Sequence, residues 1–116
     1  MRSTLVSRSL HRTTKLDKRN RVLIDGTVIK RSELRHTPAG TPVLEIVITH
    51  LSEQLEAGKH RKVECEVSVM ALGDIAVRLG PITIGQRLAS KGFIAAKSNR
   101  YRHELVLHLE EFELLN

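Results

Sequence analysis

From Lys62 to Met70 the chain alternates without interruption. Val63, Cys65, Val67 and Val69 fall on one side, and Lys62, Glu64, Glu66 and Ser68 fall on the other. A period of two belongs to a strand with one buried face, because successive side chains of extended backbone point opposite ways. A strand is not stable alone, so the fold depends on what else in the chain can pair with it.

Four further segments carry β signals. Residues 20–31 (NRVLIDGTVIKR) set β-branched side chains around Gly26, as in a strand bent at a glycine. Residues 43–50 (VLEIVITH) place Leu44, Ile46 and Ile48 on one face. A fourth strand covers 87–96 and contains Gly92 and Phe93; a fifth covers 104–109 and is continued by Phe112 and Leu114. Pro38, Gly40 and Pro42 put a turn or short loop over 36–42, and the polar stretch from Ser52 to His60 reads as an exposed hairpin connection. Residues 73–80 allow one short helical turn, and 97–103 (KSNRYRH) form a polar loop. Five strands with a short helical turn between the third and fourth match an all-β, five-stranded OB-fold barrel, and closing so small a barrel calls for a strongly bent first strand. A β-sandwich is the alternative, but it ordinarily has seven strands.

A chain of 116 residues has room for one domain. Its formal charge of +6 is concentrated at one end. Residues 1–21 hold seven cations against one acid, Asp17, and the rest of the chain holds twelve basic and twelve acidic side chains. The Arg-, Ser- and Thr-rich stretch 1–19 reads as a flexible basic arm, with a transit peptide or an over-long start as alternatives. Residues 20–116 then form the OB-fold domain. The single cysteine, Cys65, excludes an intramolecular disulfide. No apolar run approaches the roughly 18 residues that span a bilayer, and the apolar core of a secretory signal is missing, so the cytoplasm is the default location.

The residues suggest no enzyme. The histidines are His11, His36, His50, His60, His103 and His108, and none stands at metal-ligand spacing from another or from Cys65. Gly80, Gly85 and Gly92 do not fit a phosphate-cradling loop. Cys65, on the apolar side of its strand, reads as a small buried hydrophobe. His36, His60 and His103 lie in expected loops, solvated or contacting phosphate. No metal or cofactor is called for.

The segment Leu34-Arg35-His36-Thr37-Pro38-Ala39-Gly40-Thr41-Pro42-Val43 is similar to the L-R-x-T-P-x-G motif beside the second strand of bacterial single-stranded-DNA-binding proteins. Downstream, three segments resemble the primosomal replication protein N family, the PriB proteins. They are Glu56-Ala57-Gly58-Lys59-His60-Arg61 followed by Cys65, then Gly92-Phe93-Ile94, then Leu105-Val106-Leu107-His108. The likeness extends over about residues 20–115. It implies a non-catalytic OB-fold homodimer that binds single-stranded DNA at stalled forks, stimulates the primosomal helicase PriA and hands on to helicase-loading proteins in replication restart. Larger members of the wider family carry an acidic C-terminal tail, whereas this chain stops at Leu114-Leu115-Asn116. The resemblance also implies a departure: relatives carry aromatics where this chain has Lys59 and Glu64. Stacking a base on a ring contributes about 1–3 kcal/mol, so losing two platforms weakens binding unless other rings replace them. Tyr101, the only tyrosine, can supply one.

The candidate nucleic-acid-binding surface comprises Lys59, His60, Arg61 and Lys62 in one loop and Lys97, Arg100, Tyr101, Arg102 and His103 in another. Lys30, Arg31 and Arg35 flank the first long turn. Cations there neutralise phosphates and release counterions, and no base code is expected. The plainer account is solubility, because Glu56, Glu64 and Glu104 lie close in sequence. Two other functions fit the same residues: a protein-interaction module that docks a helicase with only weak DNA binding, and an RNA-binding OB protein.

Overall fold

The computed structural model describes residues 19–116. Apart from Arg19, the expected basic arm lies outside the described residues. Six strands and one helix follow in the order β1 (Val22–Arg31), β2 (Arg35–His36), β3 (Pro42–Glu56), β4 (Lys59–Leu72), α1 (Asp74–Leu79), β5 (Arg87–Ala96) and β6 (Leu105–Leu114) among the described residues. The sheet order is β1-β5-β6-β4-β3-β2, and a further β1–β3 pairing closes it into a barrel of five long strands. This is the expected OB architecture.

Closure depends on β1 serving two neighbours. Val22–Thr27 pair with β5, and Thr27–Arg31 pair with β3, with a bulge between Val28 and Lys30. Gly26 makes the changeover possible. A Cβ there would lie 2.9 Å from the Ile48 side chain and 2.9 Å from the Thr49 carbonyl oxygen, so only glycine lets β1 approach β3 so closely. Leu44, Ile46 and Ile48 are buried on one face as expected, and they join Val28, Val69, Leu88 and Leu107 in the core. Ile75, Ala76 and Leu79 of α1 belong to the same cluster, so the helix covers the barrel interior.

Two expectations are corrected in the β3–β4 region. Residues 52–60 are not a loop: β3 continues to Glu56 and β4 begins at Lys59, leaving Ala57-Gly58 as a two-residue turn. His60, with Lys59, Arg61 and Lys62, is therefore in a strand, and His36 is in β2. Pairing of β3 with β1 stops at Thr49, and β4 meets β6 only at Val69 and Met70. The rest of the hairpin is two-stranded and stands away from the barrel. With neither face buried, residues 52–60 have no apolar alternation to signal a strand. The same geometry overturns the reading of Cys65. It sits on the barrel-facing side of β4 but past the barrel's cover, and it is exposed.

The turn itself is strained at one residue. Ala57 has φ 53 and Gly58 has φ 77, the pair of left-handed conformations that a tight hairpin turn demands. Such backbone costs alanine about 1 kcal/mol, whereas asparagine adopts it readily. Ala57→Asn is therefore expected to raise the thermal midpoint by roughly 4–8 °C, measured by circular dichroism melting. An unchanged midpoint would mean that the hairpin tip unfolds separately from the barrel.

Candidate nucleic-acid interface

A groove of about 490 Å³ crosses the outer face of the barrel. Val47 of β3 and Ser68 and Met70 of β4 contribute to its floor. Lys30, Arg31 and Ser32, at the end of β1 and the start of the 32–41 loop, border one side. Ala96, Lys97, Glu104 and Leu105, around the β5–β6 loop, border the other, and Val106 and His108 of β6 complete the lining. Grooves between these two loops are where OB-folds take oligonucleotides.

Each border has a local reason for its shape. In the first loop, the Gly40 amide donates to the Thr37 carbonyl at 2.8 Å, and Gly40 has φ 91, so Thr37-Pro38-Ala39-Gly40 forms a tight turn. The Glu45 amide donates to the Ser32 hydroxyl at 3.0 Å and holds the loop's start against β3. In the second loop, the Lys97 amide donates to the Glu104 carbonyl at 2.7 Å and continues the β5–β6 ladder. Tyr101 then stands out at the turn, 44% exposed. The Lys97 ammonium lies 5.9 Å and the Arg100 guanidinium 5.6 Å from its ring centroid, within reach of a cation–π attraction.

The structure brings together only part of the expected surface. Lys30, Arg31 and Lys97 share the groove, and Arg100, Tyr101, Arg102 and His103 occupy the loop at its edge. Arg31 also has a structural task. Its Nη1 donates to the carbonyls of Gly80 (2.7 Å) and Ile82 (2.5 Å), tying the end of β1 to the segment after α1. Arg35 is paired with Glu45 across β2 and β3. Lys59, His60, Arg61 and Lys62 lie on the projecting hairpin, away from the groove. There Arg61 meets Glu56 at 3.0 Å and His60 lies 3.6 Å from Glu53, while Lys59 and Lys62 face Glu56 and Glu53 in register. Exposed pairs of this kind add little stability, but they cancel much of the hairpin's positive field.

Residues 20–111 match a family model described as another single-strand binding protein family. The chain is 37% identical over 97 residues to the replication restart protein PriB of Nitrosomonas europaea, covering 84% of this chain and 89% of that one. It is 39% identical over 99 residues to PriB of Photorhabdus laumondii, covering 84% and 94%. The chain belongs to the PriB family. A solved PriB structure from Ralstonia solanacearum agrees with this fold at a TM-score of 0.75 and 30% identity, covering 84% of this chain and 98% of that chain.

Within this PriB fold, the sequence reading missed Ser32, Ser68, Met70 and His108 as lining residues. None of them belongs to a charged loop, the signal used to choose the others. His108 was legible in principle: it stands between the core residues Leu107 and Leu109 and so has to face outward.

Proposed function

We propose that this PriB-family chain binds single-stranded DNA, without a base code, in the groove between the 32–41 and 97–104 loops, as a non-catalytic accessory protein of replication restart. The observation that carries the reading is the placement of Lys30 and Lys97 on opposite borders of a floor containing Val47, Met70 and His108. Two cations suit a phosphate backbone, and Val47, Met70 and His108 suit the bases that a single strand exposes and a duplex hides. Family membership supports the finer parts of the proposal: stimulation of the helicase PriA, transfer to helicase-loading proteins, a cytoplasmic location and a homodimer. The exposed Leu23, Leu51 and Leu55 add support for the pairing. Residues 1–19 are proposed as a basic arm that adds affinity without selectivity.

Fluorescence anisotropy with labelled oligo-dT, the matched duplex and an RNA hairpin, across a salt series, tests this. Oligo-dT is expected to bind best, with affinity falling as salt rises. Equal binding of the duplex overturns the groove assignment and leaves protein docking as the better account; preference for the hairpin selects RNA. A chain lacking residues 1–18 is expected to bind more weakly with its single-strand preference intact.

A further inference from the structure

The groove has cations but few π-faces: His108 is the one ring among its lining residues. An exposed aromatic pair nevertheless continues its floor. In register across four strands, Glu45 faces Met70, Met70 faces His108, and His108 faces Phe93. The residues flanking the first three, Leu44 and Ile46, Val69 and Ala71, Leu107 and Leu109, are all buried in the barrel. The row therefore lies on the outer surface. The rings of Phe93 and His108 are stacked, 7° from parallel with centroids 5.1 Å apart. Met70 and His108 line the groove itself.

Phe93 is 36% exposed, on a strand whose next residue, Ile94, packs against the core. Its ring is thus not needed to fill the interior. A cation also lies close by in the fold. Asn20 exchanges two hydrogen bonds with the backbone of Ile94, at 2.8 and 2.9 Å, and Val22 faces Gly92. Arg21 therefore lies in the chain between Asn20, held at Ile94, and Val22, opposite Gly92. A ring flanked by a cation matches what a single strand presents, a base face with its phosphate alongside.

We propose that Phe93, backed by His108, is a base-stacking platform for single-stranded DNA and extends the site from the groove toward Arg21. This rests on the groove reading above and adds a π-face beside a groove whose lining has His108 as its one ring. Stacking is indifferent to which base is present, so the platform adds affinity without adding sequence preference.

The test uses the full chain. Because the sequence has no tryptophan, Phe93→Trp installs a single reporter. Its emission is expected to be quenched by oligo-dT and unchanged by an abasic strand of the same length at saturating concentration. Phe93→Leu keeps apolar bulk but removes the π-face. It is expected to bind oligo-dT about tenfold more weakly, with an unchanged salt slope and unchanged affinity for the abasic strand. Phe93→Leu binding oligo-dT as tightly as the parent overturns the platform alone. Equal losses on both strands would also overturn it, by showing a structural effect. A parent chain without single-strand preference overturns the groove reading and the platform with it.

Discussion

Gly92→Ala is expected to leave the chain without a cooperative unfolding transition, or with a midpoint lowered by at least roughly 20 °C. A Cβ at position 92 would lie 1.9 Å from the His108 carbonyl oxygen and 2.9 Å from its carbon. Both are backbone atoms, so no side-chain rotation relieves the clash. The position lies at the β5–β6 bulge, where Lys91 faces Glu111 but Gly92 faces Leu109. Separating the strands there would break the ladder beside Leu107 and Leu109, both in the core. A penalty of about 4 kcal/mol or more is a large part of an ordinary domain's stability. Gly26→Ala is expected to be milder, because its nearest contacts lie at 2.9 Å rather than 1.9 Å and one of them, the Ile48 Cδ1, can rotate away. Thermal unfolding followed by circular dichroism checks both. A near-native midpoint for Gly92→Ala would show that the bulge can move along the strands.

Replacing Lys30 and Lys97 together by glutamine is expected to weaken oligo-dT binding by about tenfold in 0.1 M salt. Each phosphate contact on a single strand contributes about 0.7 to the logarithmic salt slope, so losing two makes it shallower by roughly 1.4. At 0.1 M salt that alone corresponds to roughly 25-fold. The smaller figure allows for Glu104, which lies 3.6 Å from Lys97 and already neutralises part of its charge. The hairpin gives the control. Arg61→Gln removes a cation held by Glu56 and away from the groove, and less than about a twofold change is expected. If Arg61→Gln had the larger effect, the binding surface would be the projecting hairpin.

The barrel was legible because its strands bury one face. Leu44, Ile46 and Ile48 fall on one face of β3, Val67 and Val69 alternate with polar neighbours in β4, and β5 spans the expected residues 87–96. Where that condition fails, the pattern disappears. Residues 50–56 and 59–66 are β-strand with neither face buried, so the polar stretch 52–60 read as a hairpin connection, and the alternation that begins at Lys62 put Cys65 in a core that does not reach it. The site was legible to a similar degree. Charge identified Lys30, Arg31 and Lys97, but it could not separate them from Lys59–Lys62, because acids close in sequence flank both Lys97 and Lys59–Lys62 and only the fold shows which cations border the groove. Met70, His108 and Phe93 come together only through the pairing of β4, β5 and β6, one parallel and one antiparallel. That arrangement leaves no local trace in the chain.

The divided pairing of β1 also implies an order of events in folding. The β3–β4 hairpin closes over two residues and forms from neighbouring chain, on a microsecond timescale typical of hairpins. β1 has no local partner that completes it. Its second half must find Ile46–Thr49, and its first half must find β5, where the Ser90 hydroxyl donates to the carbonyl of Ile24, 66 residues away in sequence. The entropy of closing so long a loop has to be overcome before those contacts stabilise anything. The barrel therefore seals late, and until it does, β3 and β5 each present an open edge to other molecules.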